Sequence, residues 1–364
     1  MAEDEHPEEK LIDYVHQIKK KEQDLNAREL KLKQMEDSSS SFQAGKRIKT
    51  LESELDTTRA ELKTKTALIE TVRNATGMSS VSVSEGQLKT KEAELYQRES
   101  DLAKREAALS GDYSVAREVE FKEEKAKTGN PRLDDLLYGG IAFGTNVMLM
   151  GPAFIGKETL ANQFLLEGLV KGIPALVITT DCEPADVINE LKHIAPDAEK
   201  YLKDGSLVFI DAYTKSMGIE ESDNPHIKYV DSQTDYAGLE KAFSDTAKEF
   251  KERSPHFRTV MRSVSSLVAL SDPTSSYKFL QKLTGKNKHY KNVSMYLLDK
   301  GMHSEVEIQT LGHLMDSAIE TKTDGVKTHL AVQGFGDVQS RNWIQYTYSK
   351  KGLNMGSFTL DHLK

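Results

Sequence analysis

The segment 145–168 constrains the fold of this chain more than any other part of the sequence. An apolar run over 145–150 has the length of a buried strand, and a helix pattern continues over 159–168. The loop between them reads Gly151-Pro-Ala-Phe-Ile-Gly-Lys-Glu158. A strand, a glycine loop, a lysine and a helix in this order are the context that gives the phosphate-binding pattern G-x-x-x-x-G-K-[ST] its meaning.

This loop is predicted to hold the phosphates of ATP or ADP. Backbone N–H groups of such a loop and of the following helix point to one place, where Lys157 adds a positive charge. Glu158 replaces the hydroxyl residue that would bind Mg²⁺, and its carboxylate would repel a triphosphate. The alternative is an empty loop in which Lys157 binds loop carbonyls. The predicted nucleotide-binding residues are Gly151, Pro152, Ala153, Phe154, Ile155, Gly156, Lys157, Glu158 and Thr159.

Residues 111–364 alternate short apolar runs with amphipathic stretches. Helix patterns cover 164–171, 185–194 and 239–252, and apolar runs include 175–179 and 207–213. This alternation predicts one α/β domain with a mostly parallel central sheet flanked by helices. The polar segment 214–235 is predicted to be an exposed loop at the carboxyl ends of the strands.

Residues 1–110 have a different pattern, in which apolar residues recur at heptad spacing. This spacing predicts a two-stranded coiled coil that binds a second copy or a protein partner. Small polar residues near 37–45 and 74–86 predict flexible breaks. Charged single helices, or disorder, are the alternative, because partly filled seams bury little area. The seam residues include Leu11, Val15, Ile18, Leu25 and Leu32, and the cleanest run is Leu88, Leu95, Leu102 and Leu109.

Composition argues against several classes of protein. The 364 residues carry a net charge of -8 and one cysteine, Cys182, so we expect neither a disulfide framework nor a cysteine-rich zinc site. Without a basic cluster, a nucleic-acid surface is not expected. The apolar runs are too short to span a membrane, and the acidic start of the chain does not resemble a signal peptide. A cytoplasmic protein without a membrane partner is therefore expected.

Further motifs lie before and after the loop in a fixed order. The segment Leu133-Asp-Asp-Leu-Leu-Tyr-Gly-Gly-Ile141 precedes it, and Gly301-Met-His303 and Leu314-Met-Asp-Ser-Ala-Ile319 come later. Together these segments resemble the KaiC-like branch of the RecA-type ATPases, which is common in archaea. The resemblance covers about residues 112–364 and implies a RecA-like P-loop domain.

The positions that carry the chemistry of that family are altered in this chain. The resemblance places Arg262 where the magnesium-binding aspartate belongs, and a guanidinium cannot ligate a cation. The paired glutamates that activate water become Asp181 and Cys182. The lysine and arginine that a neighbouring subunit inserts become Gln333 and Phe335. No functional catalytic residue is therefore expected.

These changes predict a domain that does not hydrolyse ATP. We hypothesise that Glu158 and Arg262 form an ion pair in place of Mg²⁺, so no metal ligand is expected. The sequence then favours a regulatory or scaffold protein that acts through its coiled coil. The alternative is an active ATPase in which Glu158 binds Mg²⁺ with help from Asp211 or Asp181. Signalling, motility or DNA-repair work is compatible with the resemblance, although the acidic charge disfavours DNA binding.

Overall fold

The computed structural model describes residues 20–27, 29–30 and 114–356. The chain divides into two units, Met1–Asp112 and Tyr113–Lys364. In the first unit the described residues are helical, and Leu25, one of the predicted seam residues, is buried. The heptad run over 88–109 and both predicted breaks lie outside the described residues.

The second unit alternates strands and helices along most of its length. Its helices are α1 (Ser114–Glu123), α2 (Pro131–Leu136), α3 (Lys157–Val170), α4 (Pro184–Ile194), α5 (Glu199–Lys203), α6 (Tyr236–Arg253), α7 (Val264–Ala269), α8 (Pro273–His289) and α9 (Glu305–Gly312). Its strands are β1 (Lys125–Ala126), β2 (Ile141–Ala142), β3 (Asn146–Gly151), β4 (Ala175–Thr179), β5 (Leu207–Asp211), β6 (Ile227–Tyr229), β7 (Arg258–Arg262), β8 (Val293–Asp299), β9 (Ser317–Asp324), β10 (Lys327–Gln333), β11 (Ile344–Ser349) and β12 (Gly352–Met355). Short 3-10 turns cover Lys215–Met217 and Lys300–Met302.

Ten strands form one sheet in the order β12-β11-β10-β9-β3-β8-β7-β4-β5-β6. The strands from β9 to β6 in that order are parallel to their neighbours, whereas β10, β11 and β12 extend the β9 edge as antiparallel strands. Strands β1 and β2 form a separate antiparallel pair. The predicted α/β fold with a mostly parallel sheet flanked by helices is confirmed.

Side chains of the central strands alternate between two hydrophobic clusters, one on each face of the sheet. On β3, Val147 and Leu149 join the cluster that includes α3 and α4, and Met148 and Met150 join the cluster that includes α6 and α8. Because both faces are covered, the central strands are apolar throughout, as parallel strands usually are. The loops at their carboxyl ends remain available for a binding site.

The segment after β5 differs in part from its prediction. It leaves the carboxyl end of β5 as expected, but within it β6 pairs in parallel with β5. The N–H of Phe209 donates to the carbonyl of His226 at 2.9 Å. Without β6, the backbone N–H and C=O groups on one side of β5 would be unpaired. Strand β6 pairs with part of that edge.

A buried ion cluster fastens α1 to the core at the amino ends of the strands. The Glu120 carboxylate lies 2.6 Å from the Arg258 guanidinium and 2.7 Å from the Lys171 ammonium, and all three side chains are buried. Burial alone would raise the pKa of Glu120, but the two cations outweigh burial and lower it. The cluster therefore holds its carboxylate charged.

Candidate nucleotide-binding site

The glycine loop joins the carboxyl end of β3 to the start of α3. Gly156 is the N-cap of α3 with a φ of 87°, in the left-handed region, and no side chain caps the helix there. The first N–H groups of an α-helix have no partner within the helix. The start of α3 can therefore accept an anion such as a phosphate group.

Two tyrosines of β11 fix the shape of this loop from outside. The hydroxyl of Tyr346 donates to the carbonyl of Ile155 at 2.7 Å, and that of Tyr348 donates to the carbonyl of Phe154. The Tyr348 ring also packs on Gly156, where an added Cβ would lie 2.7 Å from a ring atom. Sequence reasoning did not assign these tyrosines, and its available signal was their alternation along β11.

Lys157 is buried, and its ammonium is already bound on two sides. It donates to the Asp299 carboxylate at 2.8 Å and to the Pro152 carbonyl at 2.5 Å. The carbonyl bond is the contact expected of an empty loop, whereas the carboxylate was not predicted. Asp299 ends β8 and pairs in register with Gly151 on β3, a contact that depends on the strand order.

Arg262, at the end of β7, pairs with Glu190 of α4. Its two terminal nitrogens lie 2.7 and 3.3 Å from the two carboxylate oxygens, and Asn162 of α3 also donates to that carboxylate at 2.8 Å. The predicted ion pair between Arg262 and Glu158 is therefore wrong. Glu190 comes from a helix 72 residues away in sequence, and the packing of α4 beside α3 brings it to the guanidinium.

Arg262 and its acidic neighbours shift one another's pKa values. Burial disfavours a charged guanidinium, but Glu190, Cys182 and Asp181 outweigh burial and raise the pKa of Arg262. Burial raises the pKa of the Asp181 carboxyl, Arg262 opposes that rise, and Glu158 adds to it. Burial also raises the pKa of the Cys182 thiol, so this cysteine is not a reactive thiolate at neutral pH.

Gln333 and Phe335, the positions that the resemblance assigns to the inserted lysine and arginine, lie away from Arg262 and the loop. Gln333 ends β10 and pairs with Ala318 near the start of β9, and its amide donates to Glu320 at 2.8 Å. Phe335 is partly buried against the hydrophobic core. Because β10 runs antiparallel to β9, Gln333 lies near the amino end of β9 and not at the carboxyl edge of the sheet, where the loop is.

The described residues suit a phosphate group better than a magnesium ion. The start of α3 is uncapped and Lys157 supplies a cation, as phosphate binding requires. At the end of β7, where a metal ligand would be needed, a guanidinium is bonded to Glu190 and cannot ligate a cation. Within the described residues, no group of three or more His, Cys, Asp or Glu side chains could hold a metal ion.

The alternative ATPase hypothesis gives Asp211 a role in binding Mg²⁺, but its carboxylate is bonded to groups of the turn that follows it. Its carboxylate accepts the N–H groups of Tyr213 at 2.8 Å and of Thr214 at 3.0 Å, and also the Thr214 hydroxyl. The side chain is fully buried. These contacts make Asp211 a cap for the turn after β5.

Among the described helices, none has the length and apolarity required to cross a membrane.

Comparison with known proteins agrees with this architecture. A solved structure of a KaiC-like protein from Pyrococcus horikoshii matches with a TM-score of 0.52 at 19% identity, covering 64% of this chain and 99% of that one. That likeness supports the fold alone.

Relatives in sequence are archaeal and bacterial UPF0273 proteins. One from Sulfurisphaera tokodaii is 33% identical over 161 residues, or 44% of this chain and 54% of the relative. One from Thermotoga maritima is 26% identical over 146 residues, or 40% of this chain and 57% of the relative. The chain thus spans about half the length of the relatives it matches. The family model described as "ATPase: KaiC" matches residues 126–332, which is more than half of the chain, and the chain therefore belongs to the KaiC family of ATPases.

Proposed function

We propose that this chain is a nucleotide-binding regulatory or scaffold protein that does not hydrolyse ATP. In this proposal the P-loop domain binds ATP or ADP without Mg²⁺, and the N-terminal coiled coil joins the protein to a second copy or to a protein partner. The observation that carries the proposal is the ion pair of Arg262 with Glu190 at the end of β7.

The ion pair supports the absence of hydrolysis through charge. Phosphoryl transfer depends on positioning and on cations that stabilise the transferring phosphate, and Mg²⁺ is the usual one. A guanidinium whose charge is balanced by Glu190 provides no ligand for a metal.

The loop supports retained nucleotide binding. Lys157 lies within the loop, the start of α3 is free of a side-chain cap, and the β11 tyrosines hold the loop carbonyls. A preformed loop binds phosphate without the entropic cost of ordering it. The alternative of an active ATPase would need the Asp211 carboxylate to assist at the metal. That carboxylate is already bonded within the turn after β5.

A phosphate-release assay tests the absence of hydrolysis. The purified full-length protein is incubated with ATP and Mg²⁺ beside a Lys157→Ala variant, which controls for contaminating ATPases. We expect the same background rate from both proteins. A release rate that the wild type has and the Lys157→Ala variant lacks would overturn the proposal.

A further inference from the structure

In this structure the Lys157 ammonium is already bound to Asp299. Its ammonium has three N–H donors, and two of them are bound to Asp299 and to the Pro152 carbonyl. Lys157 is 1% exposed and Asp299 is 30% exposed. Lys157 is thus shielded from water, whereas the Asp299 carboxylate is partly exposed.

The position of Asp299 is set by the sheet. Asp299 is the last residue of β8 and lies opposite Gly151, the last residue of β3, in a parallel pair. Its own N–H donates to the hydroxyl of Ser265 at 2.9 Å. Backbone pairing and this hydrogen bond together place the carboxylate at the carboxyl edge, beside the loop.

A phosphate that enters the loop must compete with this carboxylate. The lysine of such a loop contacts the β and γ phosphates, so ligand and Asp299 need the same ammonium. When the ligand takes Lys157, the Asp299 carboxylate stays nearby and repels it. Glu158 adds a second carboxylate at the position where a hydroxyl would hold the metal, and Arg262 is occupied by Glu190.

The repulsion falls most heavily on a third phosphate. A triphosphate carries one more negative charge than a diphosphate, and that charge is shared by the β and γ phosphates, which the lysine of such a loop contacts. Without a metal ion to offset it, that charge is repelled by the carboxylates of Asp299 and Glu158. We propose that Asp299 is a specificity-determining residue that makes the site favour a nucleoside diphosphate over a triphosphate. This inference rests on the proposed nucleotide binding.

Calorimetric titration of the full-length protein with ADP and with ATP, both in EDTA, tests the inference. We expect the wild type to bind ADP more tightly than ATP. The Asp299→Asn variant should reduce the ratio of the ATP Kd to the ADP Kd by about tenfold or more, because one charge beside Lys157 is removed. Glu320→Gln is the matched control, since Glu320 pairs with Lys300 rather than with Lys157, and it should leave the ratio unchanged.

Several results would overturn the inference. These are a wild type that binds ATP as tightly as ADP, an unchanged ratio in Asp299→Asn, an equal change in Glu320→Gln, or no binding of either nucleotide. Should Asp299→Asn not fold, Asp299→Ser removes the same charge, and the wild-type preference is a test without any variant. Phosphate release by the wild type would refute the proposed function but leave these ratios informative. An unchanged ratio without phosphate release would refute only the role of Asp299.

Discussion

At the residue scale, Arg262 at the end of β7 pairs with Glu190 of α4 beside the candidate site. Arg262 is 6% exposed and makes two hydrogen bonds with Glu190, whose side chain is 38% exposed. A guanidinium and a carboxylate in this geometry form a directional pair. The Glu190 carboxylate balances the guanidinium charge, so neither group needs a bound ion.

Removing the guanidinium should destabilise the domain. Arg262→Ala leaves Glu190 without its partner, and because Glu190 is partly exposed we expect a loss of about 1–2 kcal/mol rather than the ~3–5 kcal/mol of a fully buried pair. Chemical unfolding measures this. Arg132→Ala, at an exposed arginine of α2, is the control and should change stability little. Equal stability of the Arg262→Ala variant and the wild type would show that the pair is not formed.

His256 should make stability depend on pH. It is buried against Phe143, with ring centroids 4.0 Å apart, and burial lowers its pKa to about 3, although Glu120 opposes this. Since the pKa is about 6.5 in the unfolded chain, the neutral ring stabilises the fold fully above pH 6.5. That contribution is lost as the pH falls toward 3.

The free energy of unfolding of the wild type should therefore fall by about 2 kcal/mol more between pH 7 and pH 5 than that of the His256→Phe variant. Urea unfolding at the two pH values gives the difference. His289→Phe changes an exposed histidine and should keep the wild-type dependence. If His256→Phe and the wild type lose the same stability over this range, the histidine is not held neutral.

At the scale of elements, β11 supports the loop together with β3 and α3. Tyr346 and Tyr348 bind two consecutive loop carbonyls, and the Tyr348 ring covers Gly156. The antiparallel extension of the sheet therefore acts as a support for the binding loop. It ties the shape of the loop to the last strands of the domain.

Gly156→Ala tests this support. The left-handed φ of 87° is unfavourable for alanine, and its Cβ would lie 2.7 Å from the Tyr348 ring. We expect a loss of about 2 kcal/mol or more and loss of nucleotide binding. Gly301→Ala is the control, since no atom lies within 4 Å of its added Cβ. A Gly156→Ala variant with the stability of Gly301→Ala would contradict the packing.

The elements also show what sequence patterns can and cannot predict. Periodicity and the order of motifs predict the strand before the loop, helix α3 and the α/β class, because these are local features. The partner of Arg262 and the contact of Lys157 with Asp299 depend on which strands and helices become neighbours. The expected closeness of the α3 start to the end of β7, together with opposite charge, favoured Glu158, and the packing of α4 supplied Glu190 instead.

At the scale of the whole molecule, the proposed role needs the N-terminal heptads as well as the P-loop domain. Leu95 and Leu102 belong to the cleanest heptad run. Charged residues at seam positions prevent two helices from packing. We therefore expect the Leu95→Lys, Leu102→Lys double variant to lose self-association in analytical ultracentrifugation.

The control for that experiment places the same charges off the seam. The Gln97→Lys, Ser100→Lys double variant should sediment like the wild type. If the seam variant also sediments like the wild type, either as a monomer or as an oligomer, self-association through this run is refuted.

The effect of Mg²⁺ on nucleotide affinity tests the central claim most directly. Calorimetric titration of the full-length protein with ADP is carried out in Mg²⁺ and again in EDTA. Because the resemblance places Arg262, which pairs with Glu190, at the position of the metal-binding aspartate, we predict Kd values that agree within about twofold. An affinity at least about tenfold higher in Mg²⁺ would contradict the account, because it would require a metal ion bound beside the loop.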